Sequence, residues 1–442
     1  MHKIKKIILG VTPHWALSFY HYILARVASM VYGFPSRKMV VIGVTGTKGK
    51  TSTINFLWAA LSAGGMKTGV VSTANIRIGE KEYTNIYHMT MPGRFVIQKI
   101  MRDMVRAGCT HCVVETTSEG MKQFRHIGIV YDYAVFTNLT PEHLPSHGGS
   151  FEKYKQAKGT LFRILHTLPR KFLNNKRVEK TIIVNLDSEH AQYFLNNEAD
   201  RKYTYSIDKD ADFRASGIVS SRDGVRFDID KEHFNLSIHG VFNVYNALPA
   251  VAIARLEGVS DEDIARGLAN LSVIPGRMEI VSCGQPFTVF VDYAHEKESM
   301  TKAVAAAREM CESGGKVLVL LGAEGGGRDK TKRNSMGLVV ARDADIVVVS
   351  NVDPYDDNPM NIIEDIAVAA ESLGKVREKD LFVIEDRRQG IYKALSLAQK
   401  GDTVIITGKG AEQSMILGTG TISWDDRVVV REELSRLGFS GR

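Results

Sequence analysis

A chain of 442 residues with 44% apolar and 24% charged side chains is globular and long enough for two or three domains, each with its own core. Its net charge of +7 suits an anionic partner, yet no run of lysine or arginine is long enough to argue for nucleic acid. Four cysteines, Cys109, Cys112, Cys283 and Cys311, exclude a disulfide framework and point to a reducing, cytoplasmic setting.

In residues 1–38, Lys3, Lys5 and Lys6 precede an apolar and aromatic stretch from Trp15 to Phe34. Pro13 breaks its start, His14, His21 and Arg26 interrupt it, and no clean cleavage site follows, so a signal peptide is disfavoured. The expectation is an amphipathic helix docked on the next domain, with peripheral membrane contact as the alternative.

From Met39 to Val44 an apolar run reads as a buried strand, the turn Gly46-Thr47-Lys48-Gly49 follows, and Lys50 to Ala63 has the composition of a helix. A strand, a glycine turn and a helix start make an anion site: backbone N–H groups and the helix dipole face a phosphate, Lys50 adds a mobile charge, and the Thr51 hydroxyl can hold Mg²⁺. The strict G-x-x-x-x-G-K-[ST] pattern fails at Val44, whereas the core G-x-x-G-K-T is kept and Ser52 follows.

Strands and helices then alternate as in an α/β chain with a mostly parallel sheet: a strand at 66–73, a helix at 94–107, and strands at 111–116 and 133–139. Open sheets of this kind place ligands at their strand ends. Glu115 closes a buried strand there, where a carboxylate is costly unless it is paired or meets a cation, and Mg²⁺ is the natural partner given the loop. Downstream, T-N-L-T-P-E-H-L-P-S-H-G-G-S-F-E-K-Y-K-Q-A-K offers His143, His147 and Lys158. The pair Cys109 and Cys112 has C-x-x-C spacing but no second pair, so zinc or redox chemistry is disfavoured.

Beyond a strand near residue 181 and short strands with a turn at Asp223-Gly224 come G-V-F-N-V-Y-N-A-L-P-A, which holds Asn243 and Asn246, and V-I-P-G-R-M-E, whose Pro275 and Gly276 suit a hinge. A strand ending in D-Y-A-H, Asp292 to His295, follows. Apolar strands at 317–321, 346–350, 381–384 and 404–407, separated by helical stretches, then suggest a Rossmann-like layer. The domains expected are therefore 1–38, 39–274 (ATP-binding) and 275–442.

The loop G-T-K-G-K-T-S, the glutamate after the third strand, the T-N-L segment with His143, and Y-K-Q-A-K together resemble the Mur ligase family, and within it the MurE type. That resemblance implies a P-loop central domain, a C-terminal Rossmann-like domain, and an ATP-dependent amide ligase that works through an acyl phosphate in peptidoglycan precursor synthesis. Its substrates would be a nucleotide-sugar peptide, UDP-N-acetylmuramoyl-dipeptide, and a free amino acid.

By the same resemblance, Gly46 to Ser52, Asn243, Asn246, Arg277, Asp292 and His295 would serve ATP. Glu115, His143 and a carbamylated Lys158 would hold Mg²⁺, and Lys50, Lys158, His143 and Lys330 would be catalytic. Thr90, Thr117, Ser118, Gln123 and Arg125 would hold the acceptor; Met91 stands where the family's T-T-P has threonine, and Glu119 where E-V-S-S-H has histidine.

Arg328 and Lys330, in G-A-E-G-G-G-R-D-K-T-K-R, would meet the amino-acid carboxylate and the acyl phosphate, and Gly408 and Glu412, in G-K-G-A-E, the amino acid's side chain. The family's diaminopimelate motif D-N-P-R falls without gaps on Val352, Asp353, Pro354 and Tyr355, and in the other register Met360 replaces the arginine, which argues against ordinary diaminopimelate recognition. Family members begin with a uridine-nucleotide-binding domain that 38 residues cannot build. The alternatives are a folylpolyglutamate-like or poly-amino-acid ligase, and the nucleotide-binding subunit of an amidotransferase.

Overall fold

The computed structural model describes residues 14–87, 89–142, 144–221 and 223–441. The lysines at positions 3, 5 and 6 and His143 lie outside the described residues. Chain contacts divide the molecule into two units, residues 1–214 with 245–267, and residues 215–244 with 268–442.

The first unit opens with helix α1 (His14–Val31) and strand β1 (Val40–Thr45), followed by α2 (Lys50–Ala63) and β2 (Thr68–Val71). A hairpin of β3 (Asn75–Ile78) and β4 (Lys81–Thr84), which the sequence did not announce, precedes α3 (Arg94–Arg106) and β5 (His111–Glu115). Then come the short α4 (Ser118–Lys122), β6 (Tyr133–Phe136), α5 (Phe151–Leu165), the small hairpin β7 (Lys171–Leu173) and β8 (Lys176–Val178), β9 (Thr181–Asn185), α6 (Ala191–Leu195) and β10 (Arg201–Ser206).

Six strands run parallel in the order β10-β9-β6-β1-β5-β2, and β3 and β4 extend the edge antiparallel. In register, Val41 faces Cys112 and Ile42 faces Tyr133. All six residues of β1 are buried, because helices cover both faces of a parallel sheet and leave no position for a polar alternation. Register is fixed partly by Asp132: it is fully buried, accepts the Val41 amide at 2.8 Å, and is paired with Lys171 and Lys180.

The second unit begins within β11 (Phe213–Ser221), which pairs antiparallel with β12 (Gly224–Ile229), itself paired with β13 (Glu232–Leu236). Helix α7 (Phe242–Leu256) leads back to the first unit, where α8 (Asp261–Asn270) begins. The rest of the second unit is β14 (Glu279–Ile280), β15 (Thr288–Asp292), α9 (Lys297–Met310), β16 (Val317–Leu321), α10 (Thr331–Asp343), β17 (Ile346–Val349), α11 (Pro359–Glu371), β18 (Leu381–Val383), α12 (Arg387–Leu397), β19 (Thr403–Thr407), a hairpin of β20 (Ser414–Leu417) and β21 (Gly420–Ser423), and α13 (Asp426–Arg436).

Its sheet, β14-β15-β19-β16-β17-β18, is parallel except for β14. One apolar cluster joins one face of that sheet to α9, α10 and α11, and another joins the opposite face to α12 and α13. The mixed α/β class expected from the alternating pattern is what both units have.

Candidate active site

In the first unit the chemistry gathers where β1, β5 and β6 end. Gly46 and Gly49 have positive φ of 153° and 81°. A side chain on Gly46 would place Cβ 1.9 Å from Thr137 Oγ1, and one on Gly49 would place it 2.2 Å from Asn246 Oδ1. Glycine is therefore required twice, by conformation and by close approach.

The turn is braced by the T-N-L-T segment. Asn138 accepts the Thr47 amide through its carbonyl (2.8 Å) and the Lys48 amide through Oδ1 (2.8 Å), while Thr137 Oγ1 donates to the Lys48 carbonyl at 2.7 Å. Thr47 Oγ1 meets Tyr154 Oη at 3.2 Å and accepts the Thr140 amide. The Thr47 and Lys48 amides thus satisfy the neighbouring strand end, since buried N–H groups must be paired.

The Lys48 ammonium is likewise engaged, 2.7 Å from Glu142. Lys50 Nζ reaches the Thr47 carbonyl at 2.9 Å, arching over the loop from the first turn of α2. Ser52, also in that turn, is buried.

Glu115, at the end of β5, is 2% exposed. Its Oε2 accepts from Thr51 Oγ1 (3.0 Å), the Thr73 amide (2.8 Å) and Thr73 Oγ1 (3.0 Å), and Thr73 Oγ1 in turn lies 2.8 Å from Thr90 Oγ1. Thr73 thus links the loop's glutamate to the acceptor candidate Thr90. Sequence reasoning passed it over; its place two residues after the end of β2 was the available signal.

Lys158 is buried on α5, and its Nζ donates to the Gly46 carbonyl at 2.6 Å above the Tyr154 ring. Burial, reinforced by the Lys50 charge, pushes its amine well below the ordinary lysine range.

The acceptor candidates form a second group. Thr117 caps α4 by accepting the Gly120 amide, Ser118 Oγ lies 3.2 Å from His147 Nε2, and burial lowers the His147 pKa. Arg125 donates to the Met91 carbonyl and to Gln123 Oε1, whose amide nitrogen reaches Glu119 at 2.6 Å. Cys109 and Cys112 lie in the apolar core of this unit, where burial pushes both thiols up and suppresses the thiolate that metal or redox chemistry needs.

The second unit holds the remaining candidates. Asn243 donates to the His239 carbonyl at 2.7 Å, whereas Asn246 belongs to the first unit, against Gly49. Arg277 lies over the Tyr293 ring at 4.4 Å. Asp292 is half-buried and accepts the Met278 and Ala294 amides, and desolvation raises its pKa. His295 Nδ1 sits 2.6 Å from the Tyr293 carbonyl.

Arg328 and Lys330 are exposed, and Arg328 reaches Tyr355 Oη at 3.3 Å. Tyr355 itself has φ of 54°, an uncommon conformation for a bulky residue.

Asp353 and Glu412 are joined by a residue the sequence reading left out. Lys409 Nζ lies 2.8 Å from Asp353 and 2.6 Å from Glu412, which also accepts from Tyr293 Oη at 3.1 Å. Glu412 therefore already has a resident ammonium, and an incoming side-chain amine would share it. Gly408 precedes this lysine, next to Val352. The signal was in G-K-G-A-E itself, where a lysine beside a strand end that carries carboxylates calls for pairing.

Together, a parallel sheet, a glycine turn opening a helix, a lysine arched over that turn and a buried glutamate on the following threonine define a P-loop protein that handles nucleotide phosphates. Residues 44–254 match the Mur ligase middle domain and residues 276–410 the Mur ligase glutamate ligase domain.

Among curated relatives, the chain is 38% identical over 426 residues to the UDP-N-acetylmuramyl-tripeptide synthetase of Roseiflexus sp. (strain RS-1), covering 95% of this chain and 83% of that protein. It is 35% identical to UDP-N-acetylmuramoyl-L-alanyl-D-glutamate--2,6-diaminopimelate ligase 1 of Clostridium acetobutylicum, covering 94% and 82%. A solved UDP-N-acetylmuramoyl-L-alanyl-D-glutamate--2,6-diaminopimelate ligase superposes with a TM-score of 0.60 at 26% identity, over 90% of this chain and 79% of that one. The folylpolyglutamate synthase of Mycobacterium tuberculosis shares the fold, with a TM-score of 0.67 at 19% identity over 95% of each chain. The chain belongs to the Mur ligase family and is an ATP-dependent ligase of the peptide-synthase type.

Proposed function

We propose that the protein joins a free amino acid to the carboxylate of a UDP-N-acetylmuramoyl-dipeptide acceptor, converting ATP to ADP and phosphate, as a step of peptidoglycan precursor synthesis. The observation that carries this reading is the continuous hydrogen-bond path from the loop's Thr51 through Glu115 and Thr73 to Thr90, because it couples the phosphate loop to the acceptor segment.

Gly46, Thr47, Lys48, Gly49, Lys50, Thr51 and Ser52 hold the ATP phosphates, with Asn243, Asn246, Arg277, Asp292 and His295 as further nucleotide contacts. Lys50 stabilises charge on the transferring phosphoryl group. The acceptor carboxylate attacks the γ-phosphorus and ADP leaves; the amine of the incoming amino acid then attacks the acyl carbon, and phosphate departs with one acceptor oxygen. Thr117, Ser118, Gln123 and Arg125 hold the acceptor, while Arg328 and Lys330 meet the amino-acid carboxylate and the acyl phosphate.

The Thr51 hydroxyl and the Glu115 carboxylate are hard oxygen donors of the kind Mg²⁺ takes, and His143 and Lys158 complete the proposed set. Bound Mg²⁺ neutralises charge on the phosphates. The depressed basicity of the Lys158 amine suits its reaction with carbon dioxide to a carbamate, which would add a carboxylate facing the cation.

The test is phosphate release with ATP, Mg²⁺ and UDP-N-acetylmuramoyl-dipeptide across lysine, diaminopimelate, ornithine and glycine, with products weighed. A product heavier by one amino-acid residue is expected, and a folded, ATP-binding protein without turnover overturns the reading. Because Tyr355 stands in place of the family's arginine, diaminopimelate should be a poor substrate, and Tyr355→Arg should improve its use about tenfold or more.

A further inference from the structure

The N-terminal helix has two unlike faces. At about 100° per residue, Phe19, Tyr20, Ile23, Val27, Met30 and Val31 fall within an arc of about 120°. All six are exposed, and Phe19, Met30 and Val31 each exceed 60%. Ala25, Ala28 and Ser29 fall on the opposite side and are buried.

That opposite face is fastened to the first unit. A Cβ on Gly128 would come within 2.6 Å of the Ser29 side chain, Tyr32 meets Phe95 edge-on with ring centroids 6.4 Å apart, and the Arg102 guanidinium lies 4.7 Å over the Tyr32 ring. With its back fixed, the helix cannot turn the apolar face inward. An outward apolar strip of this kind marks an interaction surface.

Charge indicates what covers it. Residues 1–38 contain Lys3, Lys5, Lys6, Arg26, Arg37 and Lys38 and no acidic residue; the first aspartate or glutamate of the chain is Glu80. Arg26 is exposed at the edge of the strip, over the Tyr22 ring, and Arg37 and Lys38 are exposed in the short 3₁₀ turn that follows the helix. An apolar and aromatic strip bordered by one sign of charge fits the acyl boundary and phosphate headgroups of an anionic bilayer. Among the described residues no helix is long and apolar enough to cross a membrane, so the fit is to a helix lying in the plane of the surface.

We propose that the exposed face of α1 docks the protein on an anionic lipid surface. The inference goes beyond the ligase reading and stands whichever acceptor is used.

The test is co-sedimentation of the full chain with vesicles of phosphatidylcholine, and of phosphatidylcholine mixed with phosphatidylglycerol, for the wild type and an Ile23→Asp/Val27→Asp double variant. The wild type should sediment with the anionic vesicles, less so at high salt, and the variant at least about tenfold less. Both substituted side chains are exposed, so an unchanged thermal midpoint and unchanged phosphate release with the soluble substrates establish that the variant is folded. If the midpoint drops, Ile23→Asn/Val27→Asn, which leaves the charge unchanged and removes the apolar contact, replaces it. Absence of wild-type binding, or equal binding by the variants, overturns the proposal. So does a wild type that is dimeric without lipid and becomes monomeric on substitution, because a second copy then covers the strip. Loss of turnover with soluble substrates in the wild type would sink the ligase reading and leave lipid binding to be judged by sedimentation alone.

Discussion

Two buried lysines, one in each unit, respond to burial in opposite ways. Lys158 lies beneath the phosphate loop near Lys50, and its amine is driven toward the neutral form. Lys409 is as deeply buried, yet Glu412 and Asp353 outweigh its desolvation and hold it charged. Burial alone therefore does not decide whether a lysine is a reactive amine or a structural cation; the charges around it do. The first arrangement suits chemistry and the second suits cohesion, and mutation should separate them.

The largest effect belongs to the loop. Lys50→Ala should lower phosphate release about 10⁴-fold, or about 5 kcal/mol of transition-state stabilisation, with little change in the unfolding midpoint. A variant retaining a tenth of the activity would remove the loop from the centre of the account.

Next is the contrast itself. Lys409→Ala leaves the buried Asp353 and the half-buried Glu412 without their cation and should cost about 3 kcal/mol in denaturant unfolding. Lys158→Met removes an amine whose charge burial disfavours and one hydrogen bond to the Gly46 carbonyl, and should cost about 1 kcal/mol of stability while lowering turnover less than Lys50→Ala does. Equal stability losses would mean that Lys158 is charged in the folded protein.

A pH effect follows from His126, which burial holds at about 4 against 6.5 in an unfolded chain. Below pH 6.5 the unfolded chain takes up a proton that the folded chain refuses, so stability present above 6.5 is lost as pH falls toward 4, by about 3 kcal/mol in all. Urea midpoints across that window should fall for the wild type and stay flatter for His126→Phe. The smallest effect is that of Lys48→Ala, whose partly exposed pair with Glu142 should be worth about 0.5 kcal/mol.

The same contrast governs what the sequence discloses. The strand, glycine turn and helix of residues 39–63 are local in the chain, so their type could be read there, as could the buried strand that Glu115 closes. Thr73, Asn138 and Lys409 escaped because their roles come from partners far away in sequence: Thr73 meets Glu115, Asn138 braces Lys48, and Lys409 reaches Asp353. The β3–β4 hairpin escaped for another reason, since its outer strand is exposed and carries no apolar alternation.

The central claim is that the acceptor carboxylate is activated by phosphoryl transfer before the amine attacks. It is tested most directly by carrying a heavy oxygen isotope in the acceptor carboxylate and weighing the phosphate released. The account predicts one labelled oxygen in each phosphate formed with product; product accompanied by unlabelled phosphate would contradict it.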